Sequence, residues 1–433
     1  MRKLTVKNFS VIKEAELEFG KITVLIGPQA SGKSLLCKLA CFLSKHAIEF
    51  ALNAILSKTS FDDYRSALVA EFVSRFPIDT WQADGSAVEF SSSDFWVRVF
   101  GTSDGTGSAV KIEFAKQFEE LFESLSKRVE EAPAFGADSR ETLAEQVTAQ
   151  LNLLLTVDSV DHIVYIPVGR AFFVNQSLGY RALNNPDIDP FIRDFSLEIR
   201  LGESRSPHPN IAKDAREVLL DVGREMIRIA GGHVVGHNAS AVFKRTCDGR
   251  ALPFARLSSG TQEMLPMFNV LGQMSIGQRY RIIFPRPMVL PGTPNKPIFS
   301  KGLVYLEEPE TNVFPETQYE LVQLFAHLSS APSLDFSWVI TTHSPYILSS
   351  FNNLIYAGQL GKDKTIRRKI PIDRKYWIEP GTFAAYSVHD GKTESILSES
   401  GLINGEYLDG VSEKIGNEFD SLLRLEYDKT KAS

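Results

Sequence analysis

The residues best suited to chemistry in this chain are Gly27-Pro28-Gln29-Ala30-Ser31-Gly32-Lys33-Ser34, which satisfy G-x-x-x-x-G-K-[ST] in full. That spacing holds phosphate. Glycines let the chain turn tightly, so that successive backbone N–H groups point inward at a β-phosphate, at the positive end of the helix that follows. Lys33 is placed to reach the β- and γ-phosphates, and the Ser34 hydroxyl to ligate Mg2+. The alternative is a glycine-rich turn that holds nothing. The apolar run Ile22-Thr23-Val24-Leu25-Ile26 before the loop and the helical spacing after it weigh against that.

Three further segments place polar groups at the ends of patterned runs. Leu303-Val304-Tyr305-Leu306-Glu307-Glu308 is an apolar strand pattern ending in two carboxylates. Successive strand side chains point to opposite faces, so the two acids are expected to do different work. Glu307 would orient Mg2+ through its water shell, and Glu308 would polarise an attacking water, as phosphoanhydride hydrolysis requires. The tight turn Pro309-Glu310-Thr311-Asn312 that follows weighs against a plain surface pair. Leu257-Ser258-Ser259-Gly260-Thr261-Gln262-Glu263 starts a helix with hydroxyls and a glycine, which taken alone is a good N-cap with an anion-attracting terminus. Trp338-Val339-Ile340-Thr341-Thr342-His343-Ser344-Pro345 is a buried-type strand with a histidine at its end, and taken alone that histidine reads as a satisfied loop residue.

In chain order, the phosphate loop, Leu-Ser-Ser-Gly, the acid strand and Thr-Thr-His-Ser resemble the ATP-binding-cassette type of ATPase head. More narrowly, they resemble the RecF, structural-maintenance-of-chromosomes and overcoming-lysogenization-defect group, to which Leu306-Glu307-Glu308-Pro309-Glu310-Thr311-Asn312 is rather specific. The resemblance covers residues 1–50 and 250–360. It implies a homodimer or higher homo-oligomer with shared sites. Residues 27–34 of one head would hold ATP and Mg2+, while Ser258, Ser259 and Gly260 of the other cap the γ-phosphate. Glu308 would be the catalytic base and His343 the residue sensing the γ-phosphate. Glu307 would serve the metal in the place usually held by aspartate, and Glu310 to Asn312 would cross the interface. The glutamine of the usual Q-loop has several candidates, Gln176 among them.

Positioning these segments calls for an α/β fold. Strands are expected over 3–9, 13–18 and 22–26, forming a strand-rich N-terminal lobe, then helices from Leu35 to about Leu56 and over 60–76. Strands over 87–100 and 109–114 flank a turn at 101–108, and two helices over 115–155 break near Pro133-Ala134-Phe135-Gly136. The strand Ile163-Val164-Tyr165-Ile166-Pro167 ends at Gly169-Arg170, where the arginine is either a charge clamp or a surface residue. A helix over 210–230, a hairpin turning at Cys247-Asp248-Gly249-Arg250, and strands followed by a helix near 407–427 complete the pattern. The expected fold is a P-loop ABC-type ATPase head with a core mixed sheet flanked by helices and a mainly helical insertion. Its core takes residues 1–56 and 160–380, an α/β insertion 57–159, and a C-terminal strand–helix extension 381–433.

The chain has 433 residues, 43% hydrophobic and 23% charged, a globular profile with room for one large or two intergrown domains. No apolar run is expected to span a bilayer, and Met1 leads directly into a strand pattern, so the expectation is a cytoplasmic protein with no membrane partner. Cys37, Cys41 and Cys247 cannot make a disulfide framework and are expected to be inert. The basic residues Arg279, Arg281, Arg286, Lys296 and Lys301 would either meet phosphate or keep an exposed loop soluble, and the second is the expectation. An Asp-x-Asp pair suited to a Toprim nuclease occurs at Asp187/Asp189, well before the acid strand, and there is no zinc-spaced Cys/His cluster. The chain is therefore expected to be an ATP-driven sensor or scaffold for a separate effector, a nuclease, similar in layout to the ATPase components of the PARIS and Septu antiphage systems. The competing expectation is a RecF-like repair or recombination ATPase clamping DNA, since a net charge of −6 can hide a local basic groove. A transporter subunit is disfavoured by the N-terminal strands and the Glu-Pro-Glu-Thr-Asn turn.

Overall fold

The computed structural model describes residues 2–81, 84–92, 95–103, 108–131, 143–144, 146–148, 150–151, 160, 162–174, 187–203, 213–236, 241–275, 300–331, 334–405 and 417–423. Three strands, β1 (Arg2–Phe9), β2 (Ile12–Phe19) and β3 (Ile22–Ile26), deliver the chain to the phosphate loop. Helix α1 (Lys33–Cys41) starts inside the motif and passes through a π-helical segment, Phe42–His46, into α2 (Ala47–Leu56). By length and composition the whole stretch Lys33–Leu56 could cross a membrane, which the sequence reading did not expect, but 72% of its apolar window is buried inside the fold. It is a core helix, apolar on nearly every side because protein surrounds it.

Helix α3 (Phe61–Arg75) follows, capped by Ser60 Oγ, which accepts from Asp63 N at 3.2 Å. The single strand expected over 87–100 is two, β4 (Ala87–Ser92) and β5 (Phe95–Ser103), antiparallel with Ser92 opposite Phe95. Then come β6 (Ser108–Phe114), α4 (Lys116–Glu131), β7 (His162–Ile166), α5 (Pro190–Glu203) and α6 (Lys213–Ala230). A small antiparallel sheet is made by β8 (Gly232–Val235), β9 (Val242–Arg245) and β10 (Ala251–Leu252). The remainder is α7 (Ser259–Ser275), β11 (Ser300–Glu307), α8 (Pro315–Ser330), β12 (Leu334–Thr342), α9 (Pro345–Leu360), β13 (Phe383–His389) and β14 (Lys392–Ser395). Pro133-Ala134-Phe135-Gly136, Gln176, Arg279, Arg281, Arg286 and Lys296 lie outside the described residues, and of the helix expected near 407–427 residues 417–423 are described and helical.

Among the described residues the main sheet has eleven strands in the order β6-β5-β4-β1-β2-β14-β13-β3-β12-β11-β7. Its β13-β3-β12-β11-β7 half is parallel, and its β6-β5-β4-β1-β2 half antiparallel. β14 joins the halves, antiparallel to β13 and parallel to β2, where Lys392 lies opposite Glu14. Strands from the expected insertion (β4–β6) and the expected extension (β13, β14) thus share one sheet with the core, and β13 sits directly beside the strand that leads to the phosphate loop.

Alternate side chains of the parallel strands enter two different cores. Leu303, Tyr305 and Val339 pack with α1–α4, whereas Val304, Leu306, Trp338 and Ile340 pack with α6–α9. Both faces are covered, which is why β11 and β12 read as nearly continuous apolar runs.

Candidate functional site

Parallel pairing in register brings four strand ends to one edge. Ile26 lies opposite Thr342, Thr341 opposite Glu307, and Leu306 opposite Ile166. The loop 27–34, the acids 307–308, His343 and the Val168-Gly169-Arg170 turn therefore emerge side by side at the C-terminal edge, where open α/β sheets bind ligands.

The loop is wedged between neighbours that admit only glycine at two points. A Cβ on Gly27 would collide with the Val388 carbonyl oxygen of β13, and one on Gly32, at φ 100, would come 2.5 Å from Ile12 Cδ1. Pro28, Gln29 and Ala30 are exposed, Ala30 with a left-handed φ of 59. Lys33 is folded back: its Nζ donates to the carbonyls of Gly27 (2.9 Å) and Pro28 (2.8 Å) and to Ser31 Oγ (3.4 Å). Burial lowers its pKa, and the charges of Glu308 and Glu310 oppose that.

The two adjacent acids are separated in role as alternation requires. Glu307 is buried; its Oε2 accepts from Val168 N at 3.1 Å, while Oε1 accepts no hydrogen bond. Glu308 leaves the strand with a left-handed φ of 40, donates its N–H to Thr341 O at 2.9 Å, and points its Oε1 to within 3.3 Å of His343 Nε2. Glu310 Oε1 accepts from Thr342 Oγ1 (2.8 Å) and His343 N (2.6 Å), so it fixes the backbone that carries the histidine. Burial pushes the Glu310 carboxyl up, against the N–H of His343, and its Oε2 is buried without a hydrogen bond. The two carboxylate oxygens without a hydrogen bond among the described residues and the Ser34 hydroxyl at the start of α1 are of the type that a hard cation takes, and the loop N–H groups suit a polyphosphate.

Ser258 and Ser259 are exposed. Ser258 Oγ is 2.9 Å from Thr261 Oγ1 and accepts from Thr261 N at 3.3 Å, a local cap. Gly260 abuts the acid turn, since a Cβ there would lie 2.6 Å from Asn312 O. Around the same edge Phe314 is 74% exposed, and Val168, Phe172 and Tyr346 are exposed as well.

Arg170 is neither on the surface nor turned to the phosphate loop. It is fully buried and donates to the carbonyls of Pro167, Glu263, Glu307 and Glu308. Its position after a strand was readable; its partners, from distant segments, were not. Asp189 of the Asp-x-Asp pair binds Lys38 at 2.5 Å and accepts from Phe191 N at 2.8 Å at the start of α5. Cys37 and Cys41 are buried free thiols pushed up by burial, and Cys247 is free and exposed.

Residues 22–349 match the family model described as AAA domain, putative AbiEii toxin, Type IV TA system. No curated protein matches the chain. Among solved structures, an SMC head domain from Thermotoga maritima is similar at 11% identity and a TM-score of 0.38, covering 92% of this chain and 98% of that one. An Smc head domain bound to the C-terminal domain of ScpA, from Pyrococcus furiosus, gives 12% identity, a TM-score of 0.37, and 96% and 100% coverage. The recombination mediator RecF with ATPrS gives 11%, 0.28, and 91% and 97%. None of these likenesses reaches a TM-score of 0.5, and none bears on what this chain does.

Proposed function

This chain belongs to that AAA-domain family, and from this premise we propose that it is an ATP-binding and ATP-hydrolysing head whose copies close around nucleotide. The observation that carries the reading is the parallel register, which sets the phosphate loop, Glu307, Glu308 and His343 on one edge with Glu308 3.3 Å from His343. The loop N–H groups and Lys33 hold the β- and γ-phosphates, and Ser34 and Glu307 hold Mg2+ and its water shell. Bound Mg2+ supplies charge neutralisation at the phosphates. Glu308 takes a proton from the attacking water, and His343 reports on the γ-phosphate. Ser258 and Ser259, which are exposed, and the half-buried Gly260 cap the nucleotide of a second copy. The exposed Phe314 and Tyr346 beside them support closure of that kind.

In this reading hydrolysis removes contacts available only in the closed pair, which makes a two-state clamp. The clamp serves as sensor or scaffold for a separate effector, a nuclease, in antiphage defence; the family's description names a putative toxin of a Type IV TA system. The test is a pair of variants. Lys33→Ala is expected to lose nucleotide binding, and Glu308→Gln to keep it and accumulate dimer on ATP addition, read by light scattering. Wild-type hydrolysis by Glu308→Gln sinks the assignment.

A DNA clamp is the second reading, favoured by Arg216 and Arg224 on the exposed side of α6. It requires ATP-stimulated DNA binding that weakens steeply with salt; no binding at low ionic strength, with or without ATP, excludes it.

A further inference from the structure

Arg170 is among the largest fully buried side chains in the molecule. A guanidinium offers five N–H donors in a fixed planar fork. Here Nη1 donates to Pro167 O (3.0 Å) and Glu307 O (2.8 Å), Nη2 to Glu308 O (3.0 Å), and Nε to Glu263 O (3.2 Å). Nε also lies 3.7 Å from Glu263 Oε2. Four carbonyls from three elements, the end of β7, the end of β11 and the second turn of α7, converge on one cation. Burial raises the Glu263 carboxyl, and the Arg170 charge with the backbone N–H groups of Ala171 and Arg170 opposes it, so the two residues grip each other from both sides.

A cation aimed mainly at carbonyls sets positions more than it neutralises charge. Glu308 has the left-handed backbone that L-residues seldom adopt. It is held there from two directions: Thr341 O takes its N–H and Arg170 takes its carbonyl. The same guanidinium fixes the start of α7, which touches the acid turn a second time at Gly260 and Asn312. We propose that Arg170 is a positioning residue that aims Glu308 at His343 and locks residues 258–260 to it, so that the two move together or not at all. In a closed pair the acid of one site and the cap presented to the other copy's nucleotide then belong to a single braced block. This consequence rests on the ATPase reading; the brace itself does not.

The test uses the full chain with Arg170→Lys, which keeps the charge but cannot reach four carbonyls at once, and Arg170→Met, which removes the donors. Circular dichroism identifies the variants that fold, and Arg170→Lys decides if Arg170→Met does not. Amide hydrogen exchange without nucleotide is expected to rise about tenfold or more in residues 308–313 and 260–263 together, while residues 36–41 of α1 stay protected. With ATP, kcat is expected to fall about 10²-fold while affinity for a fluorescent ATP analogue stays within about threefold, as loss of aim rather than of binding predicts. Unchanged exchange at 308–313, exchange rising in one segment without the other, or kcat and affinity falling in proportion overturns the proposal. A wild-type protein that hydrolyses no ATP overturns the ATPase reading instead, and the exchange result still decides on Arg170.

Discussion

The carboxylate of Glu308 stands 3.3 Å from Nε2 of His343, although the two residues follow different strands of the sheet. In the ATPase reading proposed above, groups so close are expected to depend on one another. His343→Ala is expected to lower kcat roughly 10²-fold. The double variant with Glu308→Gln is expected to be little worse than Glu308→Gln alone. Steady-state kinetics of the four proteins checks this; simple multiplication of the two losses contradicts it.

Glu310 holds His343 through the backbone rather than the ring. Glu310→Gln keeps an acceptor where Oε1 now lies, whereas Glu310→Ala leaves Thr342 Oγ1 and His343 N without theirs. Urea denaturation is expected to show a loss of about 1–3 kcal/mol for the alanine variant and a smaller one for glutamine.

Gly27 and β13 touch backbone to backbone. Gly27→Ala is expected to destabilise the fold by about 1–3 kcal/mol and to abolish nucleotide binding, because the loop or β13 must move to admit a methyl group. Equal binding by variant and wild type in fluorescence titration contradicts the wedge.

Away from the site, Asp221, Glu225 and His327 bring ligand atoms within 4.8 Å of one another, and Lys375 Nζ sits among them, 2.8 Å from Asp221 Oδ2 and 2.5 Å from Glu225 Oε1. Burial pushes the Glu225 carboxyl up, but hydrogen bonds from His327, Lys375 and Tyr376 outweigh it and hold the pKa at about 2. A carboxyl depressed on folding stabilises fully above its unfolded pKa of about 4.5 and loses that contribution as pH falls towards 2. The loss is about 3 kcal/mol. Acid unfolding of Glu225→Gln is expected to be shallower over that window than that of the wild type, measured by fluorescence.

Phe314 is 74% exposed at the end of the acid turn. Phe314→Asp is expected to leave the melting temperature and ATP affinity nearly unchanged, as exposed substitutions do, while abolishing the dimer that Glu308→Gln accumulates. Sedimentation velocity with and without ATP reads the difference, and an intact dimer places the closing face elsewhere.

The site was legible wherever its signals were local. Residues 27–34 and the acid pair each sit at the end of one apolar run, so spacing alone put them on strand ends, and β1, β2 and β3 fall where alternation put them. Arg170 was not legible, because its meaning lies in carbonyls contributed by residues 263, 307 and 308, and a carbonyl has no signature in a sequence. The place of β13 was hidden for a similar reason: period-2 alternation marks a strand but not its neighbour, and pairing of Ser387 with Ile26 is a long-range choice.

That pairing also fixes an order of events during synthesis. β3 leaves the ribosome early, yet one of its two neighbours is β13, so the wall against which Gly27 rests arrives only after Val388 has been made. Until then β2 and β3 both present open edges, the state in which nascent chains recruit chaperones or stick to one another. A chain cut short before Phe383 carries every residue of the phosphate motif and lacks the surface that shapes it. The earliest-made part of the candidate site is thus among the last to be finished, and a chain that stops short of β13 is expected to bind nucleotide poorly.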